Sequence, residues 1–396
     1  MGKKLKIING NIVLPHRIIY DGCVLIEDGI IKEVSEKKIS TKAGVTLDAT
    51  GNYISPGFID IHIHGGGGSD FMDGTVKDFL TIAETHLQHG TTSMVPTTLT
   101  AEKEDLLEIL SVYRHAHTQN KSGAQFLGMH IEGPYFALSQ KGAQDARYIR
   151  KPDKKEYQDI IQKYGDIIAR WSAAPELEGA IEFGRYLSSK NILPALAHTD
   201  AIYEDVVKAF ENGYSLATHF YSAMSGVTRR NAYRYAGVIE SVYLIDAIDV
   251  EIIADGVHLP APLLQLIYKI KGPDRIALIT DAMRAAGEQT SKSILGSRKN
   301  GMKVLVEDGV AKLPDRSSFA GSVATTDRLV RTMIKTAGIP LIESIRMMTL
   351  TPARIMKRQN QKGSIAVGKD ADIVIFDEEI NIQSSIVGGE ILYNKV

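Results

Sequence analysis

Residues 56–68 read PGFIDIHIHGGGG, a greasy run that carries two histidines and then meets four glycines. In an extended chain, side chains alternate between faces, which predicts Asp60, His62 and His64 on one face and Ile59, Ile61 and Ile63 on the other. Outward from this stretch, similar short apolar runs recur between helical stretches such as VKDFLTIAETHLQHG and AEKEDLLEILSVYRHAH. They are FIDIHIH, TSMVPT, FLGMHIE, IIARWSA, ILPALAH, YSLATH, VEIIAD and RIALITD. Strands separated by helices with this rhythm predict an α/β fold, a (β/α)8 TIM-like barrel, over residues 55–354.

The flanks have a different texture. Residues 1–54 read as short strands punctuated by turns, with Asn-Gly in KIINGNIVL and Asp-Gly in VLIEDGIIKEV as hairpin signals. Strands return in GSIAVGKDADIVIFDEEINI, so residues 1–54 and 355–396 are expected to pair into one small β domain, with the barrel inserted between them. Residues 302–313, MKVLVEDGVAKL, read as a hairpin after the eighth strand.

Composition excludes several partners. The 396 residues are 44% hydrophobic, enough for a sizeable core, and the formal net charge is -1 without a block of like charges. Neither nucleic acid nor an anionic membrane is expected as a partner, which leaves a small molecule. The one cysteine, Cys23, excludes an intramolecular disulfide. MGKKLKIINGNIV breaks its apolar run too early for a secretory leader, Lys6 replaces the Ser or Thr of a myristoylation motif, and no run is long enough to span a bilayer. A cytoplasmic location is expected.

The polar residues gather at strand ends. His62 and His64 close the first run, Glu132 the third after His130, His198 the fifth, His219 the sixth, Asp255 the seventh and Asp281 the eighth. Barrel enzymes build their sites at the C-terminal ends of their strands. Spacing alone is weak: 11 histidines predict roughly 0.3 H-x-H triplets by chance, and a second one, His115 and His117 in YRHAH, falls on a helix where residues two apart diverge. Convergence carries the argument. Imidazole and carboxylate suit a divalent metal, with zinc first and Fe, Mn, Co or Ni as alternatives, and three ligands with an open position form a catalytic pattern. Glu132, His198 and His219 make the best set, and His62 and His64 are further candidate ligands. The competing role for Glu132 is an N-cap before Gly-Pro, and for Asp281 a helix cap or salt bridge. As a general base, Asp281 takes a proton from water and returns it to a departing amine. His258 follows the seventh run and suits a carbonyl or an anion.

HIHGGGGSDFMDG, GMHIEGPYF, AAPELEG, ALAHTDA, ATHFYSAM, IIADGVH, ITDAM, SFAGS and GSIAVGKDADIVIFD occur in an order that resembles the N-acetylglucosamine-6-phosphate deacetylases of the amidohydrolase superfamily. The resemblance covers nearly the whole chain. It implies a distorted barrel with a small β sandwich formed by both termini, a homodimer, and release of acetate from an N-acetyl amino sugar phosphate. It makes Glu132, His198 and His219 metal ligands, Asp281 the acid and base, and His258 a substrate contact, and it places Ala143 of KGAQ against the sugar. Members without H-x-H use one metal and members that keep it resemble this chain and bind two, so the resemblance implies one or two ions here. The family's T-H-x-x-N-A-M is here THFYSAM, with Ser222 before Ala223 where an asparagine helps hold phosphate. In GVTRRNAYRYAG, Arg230 aligns best with the arginine that reaches a partner subunit's phosphate, with Arg229 and Arg234 nearby, and a guanidinium fork suits that anion.

Alternatives within this reading are an N-acetylgalactosamine-6-phosphate deacetylase, a cyclic amide hydrolase of the dihydroorotase or hydantoinase type, and a non-enzymatic sugar-phosphate sensor. The cyclic amide hydrolases typically bridge two metals with a carboxylated lysine on the fourth strand, and IIARWSAAPE has none. A sensor is expected to have lost Asp281 or a ligand.

Overall fold

The computed structural model describes residues 3–395. Eight parallel strands form the barrel, each where an apolar run was read: Phe58–Ile63, Thr91–Pro96, Met129–Glu132, Ile168–Ala173, Leu193–Leu196, Leu216–Ala217, Asp249–Ile253 and Ile276–Ile279. A bridge from Thr97 to His130 joins the second strand to the third. The ring closes where the Asp281 amide donates to the His62 carbonyl at 3.0 Å and the His64 amide to that of Ala282 at 2.9 Å.

Helices cover the outside because their apolar residues recur at helical spacing. In Val76–Leu87, Phe79, Ile82, Ala83 and His86 are buried, and Thr75 caps the start by accepting from the Asp78 amide. Burial of a side chain such as Phe79 contributes roughly 1.5–3 kcal/mol. Ile59, Ile61, Val95, Ala195, Leu216, Ile253, Ala277 and Ile279 meet inside the ring, closed below by Ala353 and Ile355 from helix Leu350–Ile355 and its C-terminal end.

The first strand departs from simple alternation. Ile59 and Ile61 face inward, Ile63 joins the outer core beneath the helices, and His62, the residue after Ile61, also faces inward. The pairing with Thr91–Pro96 shifts register between Asp60 and Ile63, the two-against-one count of a bulge. Asp60 therefore leaves the histidines' face. Its Oδ2 accepts from Thr280 Oγ1 at 2.5 Å, and burial pushes its carboxyl up to about 7 against the hydrogen bonds of Thr280 and His62.

Both termini enter one sheet, in the order Glu390–Asn394, Ile382–Val387, Ile373–Phe376, Tyr53–Pro56, Lys4–Val13, Ile18–Glu27 and Ile30–Ser35, with Val45–Asp48 parallel to Lys4–Val13. It has its own core of Ile7, Ile12, Val24, Ile54, Ile373 and Ile386. Asp28-Gly29 makes the expected turn, with φ of 51° and 78°. Asn9-Gly10 does not. It lies within Lys4–Val13 as a bulge opposite Gly22, and a Cβ on Gly10 would come within 2.6 Å of Ile54 Cδ1. The hairpin after the eighth strand is part of a larger antiparallel sheet of Lys292–Leu295, Met302–Glu307, Val310–Lys312 and Phe319–Ser322, which overhangs the top of the barrel. Among the described residues no helix is long and apolar enough to cross a membrane.

Candidate metal centre

At the strand ends, four imidazoles surround one carboxylate. His219 Nε2 lies 3.0 Å from Glu132 Oε1, and His198 Nε2 and His62 Nε2 each lie 3.5 Å from the same oxygen. His64 Nε2 is 3.4 Å from Oε2. Two sets result, Glu132–His198–His219 and His62–His64–Glu132, each with its donor atoms within 4.8 Å of one another. Asp281 Oδ1 stands 3.1 Å from His64 Nε2 and 3.5 Å from His62 Nε2. All six groups are buried.

The backbone bends sharply to aim them. His198, His219 and Asp281 have φ of 47°, 33° and 48° respectively, in the left-handed region that side-chain-bearing residues rarely occupy. Such strain persists where surrounding structure over-determines it, and it concentrates at functional sites.

The donor chemistry fits a cation. Nδ1 of His198 donates to the Gln140 carbonyl at 2.8 Å and Nδ1 of His219 to that of Ser222 at 3.1 Å. A neutral ring with its proton on Nδ1 points a lone pair from Nε2, here toward a carboxylate oxygen that is also an acceptor. Either an extra proton or a cation must lie between. The demand for positive charge is visible in the side chains themselves. Burial opposes protonation of His64, yet its hydrogen bond to Asp281 and the charges of Glu132 and Asp281 outweigh it and lift the imidazole to about 9. Burial likewise favours a neutral Glu132, but His62 and the bonds from His198 and His219 hold its carboxyl well below the usual range. His198 and His219, each with Nδ1–H donating to a main-chain carbonyl and Nε2 turned to Glu132, would hold a divalent cation that supplies this charge.

The centre opens into a cavity of about 790 Å³. His64, Glu132, His198, His219 and Asp281 form its floor, while Ala143, Ser222, Ala223 and His258 stand on its walls. His62 lies beneath and does not line it. Nδ1 of His258 is tied to Asp255 Oδ2 at 2.8 Å, which spends Asp255 as a support and turns the other ring nitrogen toward the cavity beside Phe319. Arg230 is elsewhere. It sits on the exposed hairpin Thr228–Arg230 and Tyr233–Tyr235, stacked 5.3 Å from the Tyr235 ring. His115 and His117 are exposed on helix Lys103–Gln119, as their helical spacing predicted.

The glycines of the opening stretch serve packing rather than access to the cavity. A Cβ on Gly65 would meet the Ser69 carbonyl oxygen at 2.4 Å, and one on Gly66 would meet His86 Nε2 at 2.5 Å. Three features escaped the sequence reading. Gln144, beside Ala143, donates to Glu132 Oε2 at 2.7 Å. Arg170 and Glu251 form a fully buried pair under His62. Lys141, Lys312 and Arg316 line the cavity with cations of this same chain.

Residues 53–392 match the model of the amidohydrolase family. The N-acetylglucosamine-6-phosphate deacetylase of Lysinibacillus sphaericus is 33% identical over 372 residues, 93% of this chain and 92% of its own. The chain belongs to the amidohydrolase family, among its N-acetylglucosamine-6-phosphate deacetylases. The solved N-acetylglucosamine-6-phosphate deacetylase of Pasteurella multocida superposes with a TM-score of 0.90 at 30% identity, covering 98% of this chain and 99% of that one. An N-acetylgalactosamine-6-phosphate deacetylase of Escherichia coli O157:H7 is 30% identical over 366 residues, 92% of this chain and 93% of its own. This amidohydrolase thus shares its fold with the solved Pasteurella multocida deacetylase and is similar in sequence to deacetylases of two hexosamine phosphates.

Proposed function

We propose that this chain hydrolyses the acetamide of N-acetylglucosamine-6-phosphate to acetate and glucosamine-6-phosphate, using divalent ions, zinc first, at Glu132–His198–His219 and at His62–His64–Glu132. The supporting observation is Glu132 shared between two ligand sets, with Asp281 beside them and His258 facing the same cavity. A bound divalent ion polarises a carbonyl and acidifies a water.

The protein's own groups do the rest. Burial would favour a neutral Asp281, but His62 and the hydrogen bond from His64 hold its carboxyl below the usual range, so it is ionised and ready to take a proton from water. Asp281 then delivers that proton to the amine nitrogen as the carbon–nitrogen bond breaks. His258, fixed by Asp255, contacts the acetamide or the sugar, and the Ala143 backbone sits against the ring. Lys141 and the Ser222–Ala223 segment receive the phosphate, and Arg230 on its exposed hairpin reaches the phosphate of a second copy in a homodimer. A guanidinium pairs with phosphate in two parallel hydrogen bonds.

The galactosamine relative favours a second reading in which the 4-epimer is the substrate. Acetate release from N-acetylglucosamine and N-acetylgalactosamine, each with and without the 6-phosphate, tests both. The glucosamine phosphate is expected to be turned over fastest. Turnover confined to unphosphorylated sugars would contradict the phosphate assignment, and binding without turnover would make the protein a sensor.

A further inference from the structure

The imidazoles of the centre differ in what holds their far nitrogen. His198 and His219 are anchored by backbone carbonyls, and His64 Nδ1 has no hydrogen-bond partner among the described residues. His62 is anchored by a charge: its Nδ1 lies 3.4 Å from Glu251 Oε2, on the seventh strand. Glu251 is gripped in turn by Arg170 of the fourth strand, with Nη2 3.2 Å from Oε2 and Nη1 on Oε1. Arg170 also donates to the Ile61 carbonyl at 3.1 Å and to Thr218 Oγ1 at 3.0 Å, which fixes the guanidinium across the barrel.

Stability alone does not account for this pair. The neighbouring interior is filled by Ile59, Ile61, Val95, Ile253 and Ile279, and replacing a buried ion pair with such residues is often neutral or stabilising. Its geometry has another consequence. An ionised carboxylate only accepts, so the proton of His62 is held on Nδ1 and the lone pair of Nε2 faces Glu132 and His64. A carboxylate behind a ligating imidazole fixes its tautomer and orientation and raises its basicity.

We propose that Glu251, held by Arg170, is a positioning residue that orients His62 as a ligand for the cation between His62, His64 and Glu132. The inference rests on the two-ion reading above. On that basis the deeper ion depends on a buried relay across strands one, four and seven, and the ion at His198 and His219 does not.

Metal content and competition with a chromophoric chelator test it on the full-length protein loaded with zinc. The wild type is expected to hold two ions per chain. Arg170→Met combined with Glu251→Met is expected to weaken one ion by about 10–100-fold and leave the other unchanged. Glu251→Gln alone keeps an acceptor oxygen behind His62, so a smaller loss at the same ion is expected, and it carries the test if circular dichroism shows the double variant unfolded. A folded double variant, or failing that Glu251→Gln, that holds both ions with wild-type affinity would overturn the assignment. A wild type that binds one ion, or whose second ion is indifferent to His62→Ala, would overturn the two-ion reading and this inference with it.

Discussion

The two halves of the centre share Glu132 and little else. His198 and His219 come from different strands, adopt left-handed backbone, lean on main-chain carbonyls and face the cavity. His62 and His64 come from one bulged strand, and His62 is sealed beneath the floor against Glu251. Similar donor sets thus stand in different surroundings, one open to the cavity and the other backed by a buried charge. The outer set of the proposed centre lines the cavity where a substrate would lie, whereas the inner set opens to that cavity only beside His64 and Asp281.

Breaking the shared residue removes the distinction. Glu132→Gln is expected to lose both ions and lower kcat/KM on the order of 1000-fold or more, read by metal analysis and acetate release. Asp281→Asn spares both halves and removes the base, so turnover is expected to fall by about 100- to 10,000-fold with metal content intact. Near-normal rates in that variant would misassign the base. Gln144→Leu removes one hydrogen bond from Glu132 Oε2 while leaving every ligand in place, and about a 10-fold loss of metal affinity is expected. An unchanged affinity would make Gln144 a wall of the cavity and no more.

The smallest effect lies behind the glycine loop. Burial drives the His86 imidazole down to about 4 despite its hydrogen bond to the Gly65 carbonyl. A base with a folded value below its unfolded 6.5 binds its proton more readily when unfolded. Its stabilising contribution is therefore complete above pH 6.5 and is lost as pH falls toward 4, on the order of 3 kcal/mol. Urea unfolding of the wild type and His86→Gln across that window is expected to show a shallower acid limb in the variant. Parallel limbs would sink the assignment.

Much of this arrangement was legible in the chain. Each barrel strand arose where an apolar run stood, and Glu132, His198, His219 and Asp281 were readable from their place at strand ends, because a barrel gathers those ends by topology. The bulge after Asp60 was not, since alternation carries no mark of one extra residue. Nor were the left-handed residues His198, His219 and Asp281, because no glycine announces them. Arg170 and Glu251 left a trace: an opposite charge inside each of two otherwise buried strands, a placement rare for residues without a partner. Pairing them required knowing that the fourth and seventh strands face one another across the barrel. Arg230 illustrates the opposite limit, since its proposed contact lies on a second copy.

The comparison between the two halves is tested most directly by following acetate release from N-acetylglucosamine-6-phosphate while metal-depleted protein is titrated with zinc. Activity is predicted to return in the wild type and, at a reduced rate, in His62→Ala with His64→Ala, and to stay absent in His198→Ala with His219→Ala. Recovery in the last variant, with none in the His62 and His64 pair, would contradict the account.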